Sequence, residues 1–443
     1  MRICRCFIIN LVGVLTAAAF GARAETNALQ LTVATLRALA EEARTNNAAV
    51  RAAEERADAA QAHVATVPTW ADPTVRFGVM GAERMMRRDD GDLLYGIEQT
   101  LPLWGKPQAA RRLAQAEAAT AGAVVTLRAR QHQRDSIRAA FQIALADRTV
   151  RLDREDLHWL ETFLASTQRR YESGTATQAE VLRLQNERSR RANQLATDMA
   201  WRDQARADLN RLLNRPLESP WPEFLLPPIA SAVTFNGSLV ESALQAAPEL
   251  QVRREAIREA EAAVDVARRA RYPDLSAGAE VRQYHGNGDF RQSMVMLGLR
   301  LPWGNRQRYA AAIQRDEAQL RATQLDANDY EQELRREVRE LTVRLDAARR
   351  EAELYRDQII PRSEAALASA RAAWESGRGQ FRDVFEARQM LVAAELAQAR
   401  ATVEQYTQLT DLMFRGGFED FAAFNPFVPE SETSIQPAQT TNP

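Results

Sequence analysis

Side chains able to do chemistry are few in this sequence, and their spacing argues against a reaction centre. Histidine occurs at His63, His132, His158 and His285, scattered without the short intervals at which imidazoles share a metal. Both cysteines, Cys4 and Cys6, lie at the extreme amino terminus. No serine stands in the glycine-flanked setting of a nucleophile elbow. Met80, Met85, Met86, Met294 and Met296 fall in or beside alternating apolar segments. Thioethers suit soft ions such as Cu(I), although packing is their commoner use. The expectation is a non-enzyme with no cofactor and no metal site. Asp383 and Glu386 offer a different chemistry. Spaced by three, they share one face of a helix. In a trimer they would make two rings of three carboxylates, which attract cations.

The elements that position these residues begin after an export signal. Arg2 and Arg5 precede an apolar stretch from Phe7 to Phe20, and Ala22-Arg23-Ala24 supplies small residues for cleavage. Residues 1–24 are therefore expected to be a signal peptide, too short in its apolar part to span a bilayer as a helix. Both cysteines go with it, which leaves no thiol for a disulfide, a metal or an amino-terminal lipid. No later run of 18 apolar residues occurs, so an exported chain of this kind is periplasmic or an outer-membrane β-barrel. The 58 basic residues, less three arginines in the signal, leave 55 against 59 acidic ones. That balance gives no reason to expect nucleic acid.

The rest of the chain is written twice, with a period of about 200 residues. Pro73 and Gly78 match Pro273 and Gly278, and Leu101-Pro102 matches Leu301-Pro302. Trp104-Gly105 matches Trp303-Gly304, and Tyr171-Glu172-Ser173-Gly174 matches Trp374-Glu375-Ser376-Gly377. Ala43 and Ala243 mark aligned helix starts. The first unit is expected over residues 25–229: a helix from about Val33 to Val67, a β-hairpin at 74–102, long helices over 106–215, and a proline-rich irregular linker at 216–229. The second spans 230–424: a helix from about Ser238 to Arg271, a β-hairpin at 274–302 and long helices over 305–415. Residues 425–443 are rich in Pro, Ser and Thr and are expected to be disordered.

Period-two alternation identifies the strands. Val75, Phe77 and Val79 alternate with Thr74, Arg76 and Gly78; Leu93, Tyr95 and Ile97 alternate with Gly96, Glu98 and Thr100. The second copy repeats this with Leu275, Ala277, Ala279 and Val281, then Val295, Leu297, Leu299 and Leu301. Each run has about the ten residues that a tilted strand needs to cross a bilayer. The turns Glu83 to Asp92 and His285 to Arg291 are polar. From Gln108 to about Arg170 an unbroken helix would reach roughly 95 Å, and the second copy, from about Gln307 to Glu375, is similar. Leu334, Val338, Leu341 and Leu345, like Leu157, Leu160, Leu164 and Thr167, follow a coiled-coil spacing. Four strands cannot close a barrel, and open edges are not tolerated in lipid. Three copies would give twelve strands, continued by a helical cylinder. The reading is an α+β membrane protein. A trimeric adhesin or structural coiled-coil protein is the alternative, and two hairpins 200 residues apart weigh against it. A periplasmic helical adaptor would need no strands of membrane length.

The stretches LPLWGKPQAARR from Leu101, YESGTATQAEVL from Tyr171, YPDLSAG from Tyr272 and IIPRSEAALASARAAWESG from Ile359 resemble the TolC family of outer-membrane efflux channels. The resemblance covers nearly the whole mature chain and is nearest to the branch paired with heavy-metal exporters of the resistance-nodulation-division type. It implies an outer-membrane homotrimer in contact with lipid, serving as passive exit duct of a tripartite pump. The implied partners are a periplasmic membrane-fusion adaptor and, through it, an inner-membrane transporter; the cargo would be small toxic solutes, heavy-metal cations among them. By the same resemblance the constriction falls at Asp383 and Glu386, and a gate latch at Glu180, Trp374 and Arg378, with tryptophan where tyrosine is usual. The tips, Glu172, Ser173, Gly174 and Thr175 with Glu375, Ser376, Gly377 and Arg378, would dock the adaptor.

Overall fold

The computed structural model describes residues 28–80, 92–284 and 288–427. The expected signal peptide, Met85, Met86, His285, most of the first hairpin turn and the tail beyond Phe427 lie outside those residues.

The period-two segments form one antiparallel sheet. Strands β2 (Thr74–Met80) and β3 (Asp92–Leu101) make the first hairpin, and β5 (Asp274–Tyr284) and β6 (Phe290–Arg300) the second. The order is β2-β3-β5-β6, so β3 and β5 join the two repeats through a ladder from Asp92↔Tyr284 to Leu101↔Leu275. The outer edges of β2 and β6 carry no neighbour among the described residues. A separate two-residue parallel pair links β1 (Leu29–Gln30) to β4 (Phe224–Leu225) inside the proline-rich linker.

Each helix that the sequence suggests ahead of a hairpin is broken in two. Helix α1 (Val33–Asn46) gives way to α2 (Ala48–Thr66), and α5 (Gly237–Ala246) to α6 (Pro248–Ala270). Asn47 explains the first break: its backbone is extended and its Oδ1 accepts from Ala49 N at 2.8 Å. Its Nδ2 donates to Leu212 O, also at 2.8 Å. Pro248 explains the second, since the residue before a proline avoids helical geometry. Ala43 and Ala243 thus mark the ends of first segments, where Asn47 N and Ala247 N donate to their carbonyls, and not helix starts.

The long helices are α3 (Lys106–Glu172) with α4 (Gln178–Leu212), and α7 (Arg306–Leu354) with α8 (Ile360–Glu375) and α9 (Phe381–Arg415). At 67 residues, α3 runs about 100 Å. Its counterpart is interrupted by a π turn at Tyr355–Ile359, just before Pro361. There Ile360 N donates to Tyr355 O, the wider spacing of a π bulge, where the following proline offers no N–H. Trp104 and Gly105 both adopt left-handed backbone at the start of α3, turning the chain sharply from strand to helix. Arg269 Nη1 donates to Trp104 O at 2.8 Å, and Lys106 Nζ reaches Tyr272 O and Asp274 Oδ1 at 2.7 and 2.6 Å. These bonds tie the two repeats together where strand becomes helix.

Two apolar clusters hold the helices. The larger includes Leu39, Phe141, Leu209, Phe224, Leu239, Leu334, Val338, Leu345 and Leu412. The short turn Phe421–Phe427 closes over it: Phe424 is buried, and Phe427 O accepts from Thr234 N at 2.8 Å. Ordered structure therefore runs three residues into the segment read as tail. The smaller cluster lies near the helix ends and joins Leu160, Phe163, Leu184, Trp374, Phe381 and Val384. The coiled-coil spacing holds for Leu334, Val338, Leu345, Leu160 and Thr167, all buried, while Leu157, Leu164 and Leu341 are half-buried.

Candidate functional site

The sheet has two chemically distinct faces, because side chains alternate along each strand and the register keeps like with like. One face carries Val75, Phe77, Val79, Tyr95, Ile97, Val295, Leu297 and Leu299, all exposed. Phe77 is 76% exposed and Val295 79%, an apolar surface that water would not tolerate at this size. Trp70, Trp104 and Trp303, also exposed, gather by the sheet's helix-facing end, with Trp104 stacked on Tyr272 at 5.7 Å. Amphipathic rings at the edge of an apolar band are what a membrane interface selects.

The opposite face is polar. Arg76 pairs with Glu98, whose Oε1 accepts from Ser276 Oγ at 2.9 Å; Arg282 Nε donates to Glu280 Oε1 at 3.1 Å, and Arg291 pairs with Asp92. Met294 and Met296 share this face, opposite Glu280 and Gly278, and Met80 stands opposite Asp92. They are not part of the apolar band. Among the described residues no group of three or more His, Cys, Asp or Glu could hold a metal ion. His63 Nδ1 bonds Thr66 Oγ1 at 2.9 Å near the end of α2, and burial pushes the His132 imidazole below its usual range. No helix among the described residues is long and apolar enough to cross a membrane.

At the far end the chain turns twice in the same way. Gly174 and Gly377 both have φ of 75°, the left-handed conformation that favours glycine. Thr175 N donates to Arg170 O at 2.8 Å, and Arg378 N to Ala373 O at 2.9 Å, closing each helix end. Residues Glu172, Ser173, Gly174 and Thr175, and Glu375, Ser376, Gly377 and Arg378, are all exposed. A β-carbon at either glycine would meet nothing within 4 Å, so each turn leaves open space around it.

Each following helix opens with a capping box. Glu180 N donates to Thr177 Oγ1 at 3.3 Å while Thr177 N donates to Glu180 Oε2 at 3.0 Å; Gln380 and Asp383 repeat the arrangement. Asp383 and Glu386 are exposed on α9, and Glu386 also pairs with Arg382. Within one chain the structure does not bring Glu180 to Trp374 or Arg378. Trp374 is buried instead, 4.8 Å from the Phe163 ring, and Arg170 lies over it at 4.3 Å while donating to its carbonyl at 3.0 Å. Arg378 Nε donates to Ser376 Oγ at 3.2 Å. Arg170, Phe163 and Phe381 are thus the tip residues that sequence reasoning missed. Deeper along α9, burial pushes the Glu395 carboxyl up, with Arg148 at 3.8 Å opposing it.

The sequence signature of the outer membrane efflux protein family matches residues 39–215 and 239–415, one match to each repeat. Comparison with curated protein sequences gives no significant match. Among solved structures, the outer-membrane channel OprN is similar at 18% identity, covering 87% of this chain and 90% of its own, with a TM-score of 0.76. CusC, whose structures concern folding and transmembrane channel formation, is 14% identical over 90% of this chain and 96% of its own, with a TM-score of 0.77. The outer membrane protein VceC from Vibrio cholerae is 18% identical over 87% and 97%, with a TM-score of 0.73.

Proposed function

The chain belongs to the outer membrane efflux protein family, and from that membership we propose that three copies form the exit duct of a tripartite efflux pump. The observation that carries the reading is the four-stranded sheet, apolar on one face and charged on the other, with both outer edges unpaired. An open edge in lipid leaves backbone N–H and C=O groups without partners, so the sheet must close on further copies. Three give twelve strands, an even number, as bacterial barrels have. The apolar face then meets lipid, and the face of Arg76, Glu98, Glu280 and Arg282 lines the lumen. The helices continue that lumen for about 100 Å into the periplasm.

The tips at Gly174 and Gly377 are the surface for the periplasmic adaptor, which couples the duct to an inner-membrane transporter of the resistance-nodulation-division type. Asp383 and Glu386 form the resting constriction. A latch through Glu180 and Arg378 acts between chains, since within one chain the two residues do not meet. The cargo is small toxic solutes, with heavy-metal cations favoured by the acidic rings. Mass measurement on detergent-extracted protein tests the assembly: three copies are expected, and a lone monomer or dimer refutes the twelve-strand closure.

A further inference from the structure

Three aspartates of α3 are buried: Asp147, Asp153 and Asp156. A buried carboxylate persists only when its oxygens find donors. Asp147 has both satisfied, by Arg206 Nη2 at 2.9 Å and Phe224 N at 2.8 Å. So has Asp156, by Arg191 Nε and Arg388 Nε, both at 2.9 Å. Asp153 breaks the pattern. Its Oδ1 accepts from Arg191 Nη1 at 3.1 Å, but its buried Oδ2 has no donor. What stands beside it is a second carboxylate, Asp198 of α4, held from behind by Gln194 Nε2 at 2.9 Å.

We infer that Asp153 and Asp198 share one proton, forming a carboxylate clasp that holds α4 against α3 when protonated and loosens that contact when ionised. Two neighbouring carboxylates repel unless a proton is shared between them. Such a proton also supplies the missing donor at Asp153 Oδ2. The surroundings do not supply another. On α4, Arg191 is divided between Asp153 and Asp156. On α9, Arg388 is bonded to Asp156, and Glu395 faces Arg148. Glu155 of α3 and Glu364 of α8 add negative charge around Glu395, not around the pair.

Burial and the Asp198 carboxylate push the Asp153 carboxyl up to about 6. The folded chain therefore binds this proton more tightly than the unfolded chain does. Its stabilising contribution is complete below about pH 4 and is lost as pH rises through about 6. The clasp is closed in acid and open at neutrality. The same ladder continues through Arg191 and Asp156 to Arg388, two residues beyond Glu386. A proton taken up here stiffens the wall that leads to the tip. The clasp needs only the α3–α4 packing and acts whether or not the tip is a gate.

The test uses the purified full chain and Asp198→Asn, which leaves the Asp153–Arg191 bond in place. Hydrogen exchange of the α4 amides, corrected for intrinsic rate, should lose about tenfold in protection between pH 5 and pH 7.5 in the parent, following one proton per pair. In Asp198→Asn the loss should be clearly smaller, since only burial then raises the Asp153 carboxyl, and protection at pH 7.5 should be at least as high. An infrared difference between the two proteins should show a protonated-carboxyl band that titrates near pH 6. Equal pH dependence in both proteins, or no such band, overturns the shared proton. Asp153→Asn, if it folds, must abolish the same band; a band that survives there also overturns it.

Discussion

Replacing Asp383 by asparagine and Glu386 by glutamine should reduce the cation flow and cation selectivity of the resting duct and weaken its block by multivalent cations. The choice of amides follows from the structure. Asp383 is half of a capping box with Gln380, and an asparagine oxygen can still accept from that N–H, whereas alanine would remove the cap at a cost of about 1 kcal/mol. Glu386 loses an exposed pairing with Arg382 that contributes little. Fold and assembly should therefore survive the exchange. In a trimer six carboxylates disappear. At roughly 8 Å through water each attracts a monovalent cation by about 0.5 kcal/mol, so six give about 3 kcal/mol before screening. At 0.1 M salt screening leaves roughly half of that, about a tenfold change in local cation concentration. Single-channel recording in planar bilayers should show lower cation conductance and selectivity, and a roughly hundredfold rise in the concentration of a divalent blocker needed for half block, since a divalent ion loses about twice that energy. Unchanged conductance and block, with trimer mass intact, would show that these carboxylates do not line the constriction.

The sheet faces make opposite predictions: Val295→Arg should cost about 2–4 kcal/mol of membrane insertion, while Met296→Arg on the charged face should insert normally. Equal yields of the two in heat-modifiable outer-membrane fractions would contradict the assignment. Valine at Gly174 or Gly377 meets no neighbour but must adopt left-handed backbone, at about 1–2 kcal/mol per site. Export across a panel of metals, dyes and drugs should be lost while trimer yield persists, and normal export by both variants would count against adaptor docking. Trp374→Ala removes the ring between Phe163 and Arg170, at about 3–5 kcal/mol. Hydrogen exchange should rise around residues 160–185 and 365–385 and stay low in the main core; a uniform rise would show that the tip cluster is not a separate unit.

The strands and long helices were legible because their signals are local. Val75, Phe77 and Val79 declare a strand within five residues, and the matching glycines at 174 and 377 declare the turns. What stayed hidden depends on partners far along the chain. Asn47 sits in an alanine-rich helical run and breaks it partly by donating to Leu212, 165 residues away. Asp153 and Asp156 look like solvated helix charges until Arg191 and Arg388 fold over them. The π turn had a visible cause in Pro361, but a single proline does not say how a helix will accommodate it. The packing at the tip is hidden for the same reason: Trp374 is covered by Arg170, which is 204 residues away.

The two bare strands at the rim of the sheet also set the course of assembly. One chain shows two open edges. Two chains joined side by side again show two, since each new junction hides one pair while the newcomer brings its own. Only the ring-closing step brings the number to zero. Lipid therefore gives no foothold to a half-built duct, and the pathway should be all-or-none, with insertion and closure as a single event and no dimer accumulating on the way.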